Sequence, residues 1–234
     1  MPHGGPDWGL AAPSSYVFPI VSWEEYFMRS GLVKTLDGKG DIIFYDSFEN
    51  GISKWYQSAG ITAVELSLDH ARGGNWSLKI PPGSEAAATI PVDEPNRFGA
   101  EFNFIYNTNF YSPIFHLYYS DFAREYHFGV LYDSVNNKLE YYAPFGVWTE
   151  FADVTLERLP MYYFHPCKLV IDANKLEYVK FIFRGIEYDL TGKETAFDIW
   201  PSRRAVQPHV WWNQLGGPAV PTYIDDIIVT TNEP

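Results

Sequence analysis

From Asp41 onward the chain alternates hydrophobic and polar residues with a period of two, the spacing of a strand with one face buried and the other wet. Ala63-Val64-Glu65-Leu66-Ser67-Leu68 is the plainest case. The pattern predicts strands over 42–48, 63–68, 75–80, 86–92, 98–106, 114–120, 125–133, 138–142, 167–172, 177–183, 186–190 and 223–230. Turn chemistry separates several of them: Val135-Asn136-Asn137-Lys138, Arg184-Gly185 and Leu190-Thr191-Gly192-Lys193 carry the residues that tolerate left-handed backbone. About a dozen strands with no long helical pattern between them predict an all-β fold, an antiparallel β-sandwich of the jelly-roll kind. The chain has no internal repeat and no low-complexity tract.

Residues 1–40 read differently. Pro2, Gly4, Gly5, Pro6, Gly9 and Pro13 deny the first stretch regular structure. One short helix is expected over 22–31, with Ser22 as N-cap, Glu24 and Glu25 in the first turn and Gly31 as the stop. The expected organisation is an N-terminal arm, 1–40, followed by one sandwich domain, 41–234. An arm so rich in Gly and Pro frays unless something ties it down. Two ties are open: the arm lies across its own sandwich, or it packs on a neighbouring protein, which would make the chain part of a homo- or hetero-assembly.

Composition sharpens the choice of partner. With 46% hydrophobic residues among 234, the chain can bury a large core. The aromatic share of 18%, from 17 Tyr, 17 Phe and 8 Trp, suits pleated surfaces and also provides flat platforms for a sugar or a protein partner. A net charge of −12 argues against nucleic acid, whose phosphates demand a basic stripe, and against an anionic membrane surface. Arg203-Arg204 is too small a basic spot to reverse this. Acidic excess suits divalent cations. Cys167 stands alone, which rules out an intrachain disulfide or a Cys-based metal site, and its apolar context predicts a buried strand residue. The first residues carry neither a basic n-region nor an apolar h-region, and no stretch is long enough to span a membrane. The expected location is cytoplasmic, or a virion or other extracellular assembly reached by another route.

Three segments carry a resemblance. Asp46-Ser47-Phe48-Glu49-Asn50-Gly51, then Trp55, then the run from Leu68 through Gly73-Gly74-Asn75-Trp76 to Lys79 resembles the opening of jelly-roll carbohydrate-binding modules. Tyr223-Ile224-Asp225-Asp226-Ile227-Ile228-Val229 is similar to their last strand. The stretch from Leu169 to Leu190 resembles laminin-G and concanavalin A-like sandwiches. The likeness spans 41–231 at superfamily level. It implies a structural Ca²⁺ held by Asp46, Glu49 and Asp225, with backbone carbonyls of Gly74 and Asn75. The competing reading of the same carboxylates is that they cap turns and straddle an edge strand. It also implies a sugar platform, for which Tyr111, Trp148, Trp211, Trp212 and Asn213 are the candidates. In an extended Trp211-Trp212 pair successive side chains face opposite ways, so at most one belongs to the core.

No catalytic residue is expected. Glu187-Tyr188-Asp189 is similar to the Glu-x-Asp-x-x-Glu motif of concanavalin-like glycosidases, but Gly192 stands where the third carboxylate would be. No Gly-x-Ser-x-Gly elbow or phosphate-binding loop is present. His116 and His127 fall in adjacent predicted strands and could meet across a sheet around zinc, although satisfied strand histidines are the commoner outcome. Asn75-Trp76-Ser77 is formally a glycosylation sequon. The expectation is therefore a non-catalytic binding or structural sandwich, a component of an assembly such as a capsid-decorating or tail protein of a virion. The alternative is a lectin-like glycan-binding module, and third comes a polysaccharide-degrading enzyme.

Overall fold

A computed structural model describes residues 35–60, 62–106, 111–156, 163–199, 203–214 and 220–234. The chain divides into two units, 1–33 and 34–234. The helix expected over 22–31 and nearly all of the expected arm lie outside the described residues. Everything that follows concerns the second unit.

That unit is two antiparallel sheets, with strands numbered in chain order. One contains β1 (Asp41–Asp46), β3 (Glu65–Ser67), β4 (Ser77–Ile80), β7 (Arg97–Ile105), β12 (Phe164–Asp172), β13 (Glu177–Phe183), β14 (Ile186–Asp189) and β17 (Thr222–Thr231). It runs β14-β13-β12-β7-β17-β4-β3, with β1 also paired to β17. The other contains β2 (Trp55–Ala59), β5 (Glu85–Ala88), β6 (Ile90–Pro91), β8 (Tyr111–Ser120), β9 (Glu125–Asp133), β10 (Lys138–Ala143), β11 (Val147–Asp153), β15 (Phe197–Asp198) and β16 (Ala205–Gln214). Its order is β11-β10-β9-β8-β16-β5-β2, with β15 on β9 and β6 on β16. The expected antiparallel sandwich is the observed one.

Strand periodicity decides what each sheet buries. Alternate residues Phe98, Ala100, Phe102 and Phe104 of β7, with Cys167, Leu169 and Ile171 of β12, meet Phe115, Leu117 and Tyr119 of β8 and Phe128 and Val130 of β9 in one core. Phe104 and Phe115 lie 4.7 Å apart between centroids. Each such ring removed from water contributes roughly 1.5–3 kcal/mol. Cys167 is buried as expected, and burial pushes its thiol up. Tyr178 spans the core from β13. Its hydroxyl accepts the Gly129 N–H at 2.8 Å and lies 2.9 Å from the Tyr142 carbonyl, so the two sheets are joined beneath the residues that form the site below.

The sequence pattern passed over β2, β11, β15 and β16. Pro208 explains the last case, because a proline argues against an interior strand. On one side β16 pairs with β8 throughout. On the other it meets β6 at Ala205 and Val206 and β5 from His209 to Trp211. Pro208 falls in the gap between those two short partners, where its missing N–H costs no ladder bond.

The outer face of the eight-stranded sheet is closed by a charge cluster. Lys168 is fully buried, with its Nζ 2.6 Å from Asp37, 2.8 Å from Glu233 and 3.3 Å from Glu101. Lys180 links Asp37 at 3.2 Å to Glu187 at 3.0 Å. The Leu36 N–H donates to both Glu101 oxygens at 2.9 Å. Residues just past the first unit are thereby pinned to this sheet.

Candidate functional site

The residues of β8, β9 and β16 that point away from the core gather the site. On β8 they are His116 and Tyr118, on β9 Glu125 and His127, and on β16 Gln207, His209 and Trp211. Register places Tyr118 between His127 and Gln207, and His116 between Gly129 and His209. The Tyr118 ring lies 4.3 Å from that of His127 on one side and 4.1 Å from that of His209 on the other. Its hydroxyl is 2.7 Å from His116 Nδ1. Past His116 the face continues through Tyr142 and Trp148, whose rings lie 6.1 and 6.0 Å from the imidazole.

Carboxylates and one amide fix these rings. Glu85 lies 2.6 Å from His209 Nδ1. A carboxylate only accepts, so Nδ1 holds the proton and, in the neutral ring, Nε2 keeps its lone pair. Gln207 accepts from the Tyr56 hydroxyl at 3.0 Å and donates to Glu125 at 3.1 Å. Glu125 also lies 3.5 Å from His127 Nε2, and the Asp198 carboxylate is 3.7 Å from the same atom. The hydrogen bond from His127 holds the Glu125 carboxyl below its usual range. Burial, then the charges of Glu85 and Glu125, raise the Tyr118 phenol, so it stays protonated. Burial, then His209 and His127, hold His116 well below the ordinary imidazole value, so it is neutral.

What this layer leaves unsatisfied is informative. His116 and His209 are 6% and 5% exposed, yet the Nε2 of each is buried without a hydrogen-bond partner, as is Trp211 Nε1. A buried polar atom without a partner costs about 1–3 kcal/mol. These three ring nitrogens lie on one outward face, where a water or a ligand group would satisfy them.

Gly129 makes room for the arrangement. A Cβ there would sit 2.8 Å from His116 Cδ2 and 3.3 Å from the Trp148 ring. Gly129→Ala is therefore expected to push the imidazole off the face, at about 1–3 kcal/mol of stability. The check is whether the ring resonances of His116 and Trp148 shift together.

The residues expected from sequence divide cleanly. Trp148, Trp211 and Asn213 lie on β11 and β16, and the rings of Trp148 and Trp211 belong to the site face. Trp212 points the other way and is fully buried in the core, which corrects its expected place on the platform. Tyr111 opens β8 opposite Gln214, and its side chain lies outside the described residues. Glu187 and Asp189 sit on β14, an edge strand of the other sheet, where Glu187 pairs with Lys180 and Asp189 accepts the Thr191 N–H. His116 and His127 share a face as expected, but Tyr118 stands against both.

The expected calcium ligands hold the chain to itself. Asp46 accepts from the Phe48 N–H and from Trp55 Nε1, both at 2.9 Å. Glu49 accepts the Asn75 and Trp76 N–H groups at 2.7 Å. Gly74, at φ +69°, has no room for a side chain beside that carboxylate. Asp225 accepts the Arg72 N–H at 2.7 Å and the Gly73 N–H at 3.2 Å. Among the described residues no group of three or more His, Cys, Asp or Glu is placed to hold a metal ion. With their oxygens turned to N–H donors, these carboxylates do not fit a calcium cage as arranged.

Burial, then the Asp226 charge, pushes Asp225 up to about 7 despite those donors. The folded state thus holds this proton more tightly than the unfolded chain does. The stability the group contributes is present below about pH 4 and is lost as pH rises through about 7. Asp226→Asn removes the second cause, so the decline in urea midpoint between pH 5 and 8 should become shallower. An unchanged slope would show that Asp226 does not act on Asp225.

No family model matches the chain and no curated protein matches it. Solved structures do. A carbohydrate esterase from the Shiga toxin-encoding bacteriophage phi24B is 15% identical with a TM-score of 0.53, over 82% of this chain and 99% of the other. Cip1, a cellulose-induced protein, is 15% identical with a TM-score of 0.51, over 80% and 96%. A Bacillus subtilis protein of unknown function with a galectin-like fold is 11% identical with a TM-score of 0.51, over 82% and 97%. The chain shares the jelly-roll, galectin-like β-sandwich with these proteins. Among the described residues no helix is long and apolar enough to cross a membrane.

Proposed function

We propose that this chain binds a glycan across the outward face of the nine-stranded sheet. The observation that carries the reading is the set of buried, unpartnered ring nitrogens on His116, His209 and Trp211, in one layer with Tyr118, Tyr142 and Trp148. Sugar hydroxyls both donate and accept, so they complement imidazole Nε2 and indole N–H, while pyranose faces stack on rings. The shared fold with a carbohydrate esterase and a galectin-like protein supplies the setting; the face supplies the argument. The expected role in an assembly rested on the N-terminal arm, which lies outside the described residues.

Isothermal titration against a panel of oligosaccharides tests the proposal. Trp148→Ala is expected to weaken the best ligand by roughly ten-fold, about 1.4 kcal/mol, with little change in unfolding midpoint. No heat with any glycan would remove the reading.

One observation favours a second reading, that the bound glycan is also cleaved. Glu85 orients His209 with Nε2 free to accept a proton, beside the protonated Tyr118 phenol, which is the make-up of a general base and acid pair. Product analysis of the tightest ligand after long incubation, with His209→Ala as control, separates binding from turnover.

A further inference from the structure

The glycan-binding face ends in a cleft whose charge names its ligand. Beyond His127 and Tyr142 a cavity of about 530 Å³ opens between the Pro144–Gly146 turn and β15. Its walls include the rings of Tyr142, Phe145 and Phe197 and the carboxylates of Glu194 and Asp198. None of the described residues lining it is Lys or Arg. Among the described residues Glu194 forms no ion pair, and Asp198 has only the neighbouring His127 within ion-pair distance. Phe145 is fully exposed and sits in left-handed backbone at φ +66°, a conformation that costs a bulky side chain free energy. The turn nonetheless holds that ring out over the cleft. His127, at the junction with the sheet face, stands between the Glu125 and Asp198 carboxylates, 3.5 and 3.7 Å from its Nε2.

Aromatic faces and carboxylates with no lysine or arginine partner around one cavity attract a cation and repel an anion. Phe197 already draws one: the Arg124 guanidinium lies 4.6 Å over its ring. The rest of the face agrees. Glu85 and Glu125 are the carboxylates that hold the rings around Tyr118, and the central imidazole, His116, is neutral. A uronate or sialate would bring its negative charge toward carboxylates here, and the net charge of −12 works the same way at long range.

We infer that the ligand is an amino sugar-containing glycan, with its protonated primary amine seated between Asp198, Glu194 and the rings of Phe145 and Phe197. This rests on the glycan reading of the sheet face and specifies its substrate class. Free polyamines carry the same ammonium group, so the experiment must separate the two sources.

Titrate the full chain with glucosamine hexamer, N-acetylglucosamine hexamer, galacturonate hexamer and spermine at about pH 5.5, where amines are protonated. The glucosamine hexamer should bind at least about ten-fold more tightly than its acetylated counterpart, and raising salt should shrink that ratio. The double variant Asp198→Asn, Glu194→Gln should bring the ratio close to one. Equal affinities for the two hexamers, or a preference for galacturonate, overturn the inference while leaving the glycan reading in place. Spermine binding as tightly as the glucosamine hexamer overturns the sugar half of it. Silence with every hexamer removes the glycan reading and this inference together.

Discussion

Replacing Lys168 by methionine is expected to destabilise the fold by about 3–5 kcal/mol at neutral pH, the usual consequence of removing one member of a buried ion cluster. Lys168 has no exposed surface and serves three carboxylates at once. Methionine refills most of the volume, so the loss reports charge rather than a cavity. Burial alone would lower the lysine's pKa, and the hydrogen bonds it donates to Asp37 and Glu233 outweigh it and raise it. Without the ammonium, Asp37 keeps Lys180, whereas Glu101 and Glu233 lose the buried cation they share. Burial already pushes Glu101 up to about 7. Its folded value is raised, so the charged form is the costly one, and protonation relieves the cost. The deficit of Lys168→Met in urea unfolding should therefore be largest at pH 8 and smallest near pH 5. A deficit under about 1 kcal/mol at pH 8 would mean that the cluster contributes no more than an exposed pair.

The cluster was not legible in the sequence, and the reason is general. Asp37, Glu101, Lys168 and Glu233 are far apart along the chain, and each sits at an unremarkable outward position of a strand or terminus. Period-two alternation tells which residues point away from the core but not which strands stand side by side. The same limit governed the candidate site. His116-x-Tyr118, Glu125-x-His127 and Gln207-x-His209-x-Trp211 are polar or aromatic sets on the outward phase of their strands, visible in principle. Two of the three strands were expected; the third was passed over because Pro208 argues against an interior strand. With β16 missing, His209 and Gln207 had no sheet to belong to, and the two remaining histidines suggested zinc instead of a layered face. What the sequence did carry was the sandwich itself, from alternation and turn residues. It also carried the outward placement of Trp148 and one member of the Trp211-Trp212 pair. The loop at Gly73-Gly74 was recognised as special, yet the glycines serve the Glu49 and Asp225 hydrogen bonds to backbone N–H groups.

The adjacent tryptophans allow fold and function to be separated by one residue step. Trp212→Ala is expected to cost about 3–5 kcal/mol. The indole has no exposed surface, it packs within the core between the sheets, and its Nε1–H donates to the Val220 carbonyl at 2.9 Å. Truncation leaves a cavity and removes the indole donor from that carbonyl. Trp211, opposite Glu85 on the other phase of β16, has its Nε1 unpartnered, so removing it deletes a buried donor that the fold does not satisfy. Trp211→Ala should shift the unfolding midpoint by no more than about 1 kcal/mol and weaken glycan binding by roughly five-fold or more, about 1 kcal/mol. Thermal or urea unfolding of both variants, paired with titration of the best oligosaccharide, reads the two effects side by side. If Trp211→Ala lost as much stability as Trp212→Ala and binding were unaffected, the outward layer of β8, β9 and β16 would be a second packed face of the fold. Opposite responses at neighbouring positions would instead follow from strand geometry, in which one step along the backbone exchanges core for ligand.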